Sequence, residues 1–108
     1  MTEEAATIRV TIADKQMVAE DICLFELRPA DGEALAPFTP GAHLGVRVPS
    51  GEMRKYSLCN DPGEADHYVI AVKKELGGRG GSISLIDRTH VGDEIAITAP
   101  RNDFALKP

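Results

Sequence analysis

The sequence predicts an all-β domain: a closed or nearly closed antiparallel barrel of six strands with one short helix. Three observations carry this. Apolar residues alternate with polar ones at period two through most of the chain, the pattern of strands with one buried face. Gly, Pro, Asn or Asp interrupt the alternation every 8 to 15 residues, as strands joined by turns require. One segment alone switches to helical spacing. Closure is expected because six strands of this length leave costly edges in an open sheet.

The first strand carries Ile8, Val10 and Ile12 on one face, with Arg9 and Thr11 between them. The second runs from Ile22 to about Arg28, with Cys23, Phe25 and Leu27 facing one way and Glu26 the other. Ala30 to Pro40 follows Pro29 and contains Gly32, Pro37 and Pro40, too many breakers for a strand interior, so it is a connection. Leu44, Val46 and Val48 form a third strand that stops at the turn Pro49-Ser50-Gly51. Arg54 to Asn60 make the fourth, with Arg54, Tyr56 and Leu58 on one face and Lys55, Ser57 and Cys59 on the other. After the turn Asn60-Asp61-Pro62-Gly63, the β-branched run Tyr68 to Lys74 is the fifth. Gly77-Gly78-Arg79-Gly80-Gly81 then leads into the helix, where Ile83, Leu85 and Ile86 fall at helical spacing. Ser82 is the expected N-cap, and Gly92 lies where the helix should have ended. Glu94 to Ala99 close the set, alternating Ile95 and Ile97 with Ala96 and Thr98.

The 108 residues suffice for one domain, with an expected radius of gyration of about 13 Å. No apolar run approaches the ~18 residues of a membrane span. The N-terminus, Met1-Thr2-Glu3-Glu4, has neither a basic nor an apolar signal region, so a cytoplasmic protein is expected. Cys23 and Cys59 lack metal-ligand spacing and read as two buried thiols. A formal net charge of −5, with two tyrosines, three phenylalanines and no tryptophan, argues against a nucleic-acid surface.

Against that acidic background two segments carry anion-binding chemistry. The glycine-rich loop around Arg79, placed before a helix start, lets several N–H groups and the helix dipole converge on one anion. The run Arg54-Lys55-Tyr56-Ser57 sets a guanidinium, an aromatic ring and a small hydroxyl on one strand, suited to a ligand with an anionic group and a flat ring. Ser57 has no histidine at a triad-like spacing, which leaves a hydrolase unsupported. His43, His67 and His90 are scattered and read as structural or exposed.

In order, the strings RKYSLCNDP, YVIAVKKE and GGRGGSISLID resemble the flavin-binding domain of the ferredoxin-reductase superfamily. They are most similar to the phthalate dioxygenase reductase type, which includes vanillate O-demethylase reductases. Pro40-Gly41-Ala42-His43 and the terminal PRNDFAL also match in register, so the resemblance covers nearly the whole chain. It implies a six-stranded antiparallel Greek-key barrel with one short capping helix, spanning residues 1–106, with residues 107–108 beginning a linker to a nucleotide-binding domain. It further implies that Arg54 binds the flavin phosphate or ribityl chain, Lys55 contacts the cofactor through its backbone, and Tyr56 packs on the isoalloxazine. Ser57, the residue nearest the chemistry, would offer its hydroxyl at flavin N5. Ala71, Val72 and Lys73 would line the ring edge, while Arg79, Gly80, Gly81 and Ser82 would hold the phosphate. The GRGGS form resembles that of members using FMN rather than FAD.

The function so implied is the FMN module of an NADH-dependent oxygenase reductase, which accepts hydride and passes single electrons through a 2Fe-2S centre to a terminal aromatic oxygenase. NADH and 2Fe-2S would belong to domains beyond this chain, which alone would not be a competent enzyme. The competing reading is a stand-alone, non-enzymatic flavin-binding or interaction domain.

Overall fold

A computed structural model of the protein describes residues 7–32, 35–64, 66–74 and 81–101. The first strand, β1, spans Thr7–Ala19 and pairs antiparallel with β2, Ile22–Pro29, across the two-residue turn Glu20-Asp21. Its second half is largely exposed, Met17 and Val18 included, and its periodicity breaks at two register shifts, between Ile12 and Asp14 and between Met17 and Ala19. The sequence pattern therefore marked only the first half. Pairing with β2 extends the strand. Burial along the predicted face holds for Val10 and Ile12 but runs out at Ile8, which is 44% exposed.

β2 buries one face along its length. Cys23, Phe25 and Leu27 are fully buried and lie opposite Val72, Ile70 and Tyr68 of β5, Tyr68–Lys73. β3, His43–Arg47, forms a hairpin with β4, Met53–Ser57, through a turn in which Gly51 adopts φ +100°. β6, Glu94–Thr98, pairs antiparallel with β1 and touches β3 at Val46↔Ile97. There the Gly45 N–H donates to Thr98 Oγ1 at 2.8 Å, and a Cβ on Gly45 would crowd Met53 Sδ at 3.1 Å.

The sheet order is β4-β3-β6-β1-β2-β5, all neighbours antiparallel. Its two outer strands meet beyond the end of β4, at the isolated bridge Leu58↔Ile70, where the Cys59 N–H donates to Val69 O at 2.7 Å. The predicted fourth strand, Arg54 to Asn60, is thus shortened to Ser57. Asn60 instead uses its side chain, accepting from Val69 N–H at 2.9 Å and donating to His67 O at 3.0 Å. The mostly β architecture with one helix is as expected, and the radius of gyration is 13.6 Å.

The helix, α1, spans Gly81–Arg88, with Leu85 and Ile86 in the core and Ile83 half-buried. It begins one residue before Ser82, so Ser82 is not the N-cap but lies in the first turn, engaged with Tyr56. It also ends before Gly92, whose φ of +99° serves the turn into β6, where its N–H donates to Ile12 O at 2.8 Å. Arg79, Gly80, Gly77 and Gly78 lie outside the described residues, as do residues 102–108 with the expected linker.

One other expectation changes. Cys59 is exposed, because it shares the outward face of Lys55 and Ser57; Cys23 alone is buried. The proline-rich segment is the connection expected, and it packs on the sheet. Leu35 enters the core, Phe38 meets the Tyr68 ring edge-on at 5.7 Å, and Tyr68 OH donates to Ala36 O at 2.5 Å. Burial raises the Tyr68 phenol and the Cys23 thiol above their ordinary pKa values. For both, the unfolded chain releases the proton first. Their stabilising contribution is therefore complete below the ordinary values and is lost as pH rises through them toward the folded ones. Thermal midpoints should fall as pH rises above about 10, and the fall should be shallower in Tyr68→Phe. Equal slopes in the two proteins would remove Tyr68 as a contributor.

Candidate functional site

Past the Leu58↔Ile70 bridge β4 and β5 part. If their antiparallel register continued, Ser57 would lie opposite Ala71, Tyr56 opposite Val72 and Lys55 opposite Lys73, but among the described pairs no ladder joins these residues. The wedge so opened is a cleft of about 350 Å³, lined by Arg54, Lys55, Tyr56, Ser57, Ala71, Lys73 and Ser82. It contains residues of both β4 faces because it follows the strand's edge, with the first turn of α1 bringing Ser82 to it.

Every lining residue is one that the sequence singled out. Val72, also singled out, is fully buried opposite Cys23, so its side chain belongs to the core and does not line the cleft. Period two dictates that outcome, since Ala71 and Lys73 project the other way. Gly81 does not line the cleft either, but it shapes it. A Cβ there would lie 3.1 to 3.3 Å from Arg54 Nε, Cγ and Cδ, so the Arg54 side chain rests on the first residue of the helix. Arg79 and Gly80 fall outside the described residues.

The polar arrangement is specific. Tyr56, 8% exposed, is held in the core cluster while its hydroxyl bonds Ser82 Oγ at 2.9 Å, tying β4 to α1. Arg54 Nη1 lies 3.7 Å from Glu52 Oε2, a loose contact in a partly exposed setting. Ser57 and Lys55 are exposed. Three cationic side chains and no carboxylate line the cleft, in a chain of net charge −5. A second cleft of about 400 Å³, between β3, β6 and the far end of α1, has mixed charge: Arg47 and Arg88 with Asp93 and Glu94. The first is the one suited to an anion.

The donor set fits a flavin phosphate. An arginine fork and the N-terminal turn of a helix converge on one corner, a tyrosine ring forms part of the wall, and the edges of two parted strands offer backbone groups to a ring's carbonyls and nitrogens. No group of three or more His, Cys, Asp and Glu side chains among the described residues could hold a metal ion, and no described helix is long and apolar enough to cross a membrane.

Comparison with known proteins places the chain in a family. Residues 9–106 match the family model described as the oxidoreductase FAD-binding domain. Phthalate dioxygenase reductase of Burkholderia cepacia is 51% identical over 104 residues, which cover 96% of this chain and 32% of that protein. Vanillate O-demethylase oxidoreductase of Pseudomonas putida is 46% identical over 99 residues, covering 92% and 31% respectively. A solved phthalate dioxygenase reductase, described as a modular structure for electron transfer from pyridine nucleotides to [2Fe-2S], superposes with a TM-score of 0.89 at 51% identity over 94% of this chain and 32% of that one. This chain spans about a third of the length of these relatives.

Proposed function

The chain belongs to the oxidoreductase FAD-binding domain family, and within it to the phthalate dioxygenase reductase type; from that membership we infer that it holds FMN in the cleft between β4 and β5. In the protein of which it is part it serves as the flavin station between NADH and a 2Fe-2S centre that supplies an aromatic oxygenase. The observation that supports this reading most is that all seven lining residues come from the three segments carrying the family's flavin motifs.

A bound flavin accepts a hydride at N5 and releases electrons singly; that chemistry is the cofactor's own. The residues here bind and orient. Arg54, with the first turn of α1 and Arg79 of the GRGGS motif, would neutralise the phosphate through charge-assisted hydrogen bonds. Tyr56 forms the apolar wall and, through Ser82, keeps β4 and the helix at a fixed separation. The backbone of Lys55, Ala71, Val72 and Lys73 would meet the polar edge of the ring. Ser57, exposed at the end of β4, would offer its hydroxyl at N5. FMN is favoured over FAD because Arg54 at the cleft and the arginine of the GRGGS motif suit a terminal phosphate monoester, which carries a charge between −1 and −2 near neutral pH.

Titration of the purified chain with FMN, riboflavin and FAD, followed by flavin fluorescence, tests the reading. FMN should bind about tenfold or more tightly than riboflavin, the difference a charge-assisted phosphate site supplies. Equal affinity for the two would refute the phosphate assignment, and tighter binding of FAD than FMN would overturn the choice of cofactor.

A further inference from the structure

The end of α1 remote from the cleft is held by a side chain that none of the flavin motifs contains. Lys15 lies in the largely exposed second half of β1, beyond the first register shift and opposite Phe25. Its ammonium donates to the carbonyls of Ile86 and Thr89, at 2.6 Å for the latter, and stands 5.7 Å from the centroid of the fully buried Phe25 ring. The last carbonyls of a helix lack partners within it, and a cation there complements the negative end of the dipole. Lys15 supplies both the donors and the charge, from a strand about 70 residues earlier in the chain.

An eight-residue helix is too short to hold its own position. It is about 12 Å long, and three polar attachments fix it besides the burial of Leu85 and Ile86. Tyr56 grips Ser82 at the N-terminal turn, Lys74 Nζ meets Asp87 Oδ1 at 3.3 Å on the flank, and Lys15 closes the C-terminal end. A rigid rod pinned near its middle by packing points its N-terminal donors wherever its other end is held. Phosphate hydrogen bonds weaken steeply with misalignment, so the grip at the far end sets how well the near end binds.

We propose that Lys15 is a positioning residue for the flavin phosphate, acting through α1 to aim the helix's N-terminal N–H groups at the anion. This rests on the flavin assignment above. It goes beyond it in tying phosphate affinity to a residue on the opposite end of the helix from the cleft.

The test compares FMN with riboflavin, which has the same ring and no phosphate. Lys15→Met should weaken FMN binding about 3- to 10-fold while leaving riboflavin affinity unchanged, and Lys15→Arg, which keeps charge and donors, should restore FMN affinity. If the methionine variant does not fold, Lys15→Gln carries the same comparison. Equal losses for both ligands, or no loss for either, would overturn the proposal and leave Lys15 a structural residue. A fold that survives only with a cation at position 15 would overturn it too. Failure of the underlying assignment has a separate signature, because the wild-type chain would then show no preference for FMN over riboflavin.

Discussion

Arg54→Ala is expected to weaken FMN binding about 10- to 150-fold, the range expected when a charged hydrogen-bonding group is lost from an anion site. Riboflavin affinity should change little if the guanidinium meets the phosphate as proposed; a parallel loss for riboflavin would place it on the ribityl chain instead. Arg54→Lys should recover part of the loss, since it keeps the charge but not the planar fork. The substitution should spare the fold. In the structure the Arg54 side chain has 31% of its surface exposed, its ion pair with Glu52 is 3.7 Å long, and it rests on Gly81 rather than in the core. Fluorescence titration with both flavins, alongside a thermal melt, reads all of this. An unchanged FMN affinity in a folded Arg54→Ala protein would remove the arginine from the site.

Tyr68→Ala should cost about 3–5 kcal/mol of folding stability, the usual loss for truncating a large buried ring, measured by urea denaturation. Tyr68 is 1% exposed, stacks edge-on against Phe38, and anchors the connection between β2 and β3 through its hydroxyl on Ala36 O at 2.5 Å. Removing it opens a cavity and also frees the segment that carries Leu35 into the core. Since a domain of this size is stable by roughly 5–15 kcal/mol in total, the variant would stand near its unfolding limit. A loss below about 1 kcal/mol would show that the connection is not docked on β5 as the structure has it. Tyr68 lies at the end of β5 away from Lys73, so the variant, where folded, should still prefer FMN over riboflavin.

These two residues differ in how legible their roles are in the sequence. Arg54 is announced by its place in RKYS and by the acidic background around it. Tyr68 reads as a strand residue, but nothing local reveals that its hydroxyl serves a carbonyl 32 positions earlier. The same holds for Lys15, one charged residue in a mixed stretch with no periodicity to mark it. Ser82 carries a local signal, as an N-cap candidate before a helical run, and that signal misleads: its hydroxyl is taken by Tyr56. Cys59 shows the reverse. Its exposure follows directly from the alternation that also places Lys55 and Ser57 outward, whereas the general tendency of cysteine to be buried pointed the other way.

What the sequence determined by itself is the local order: which stretches are strands, which face of each is apolar, where one helix falls, and which cationic and aromatic residues stand in flavin-motif order. Those properties depend on neighbours two to four positions apart, so they are written in consecutive residues. The tertiary structure alone decided that β4 and β5 are the outer strands, that they touch at Leu58 and Ile70 and then part, and that α1 is gripped at both ends beside the opening. The cleft exists because of that parting. Which strands become neighbours is set by how the buried faces pack together, a property of the whole chain rather than of any window along it.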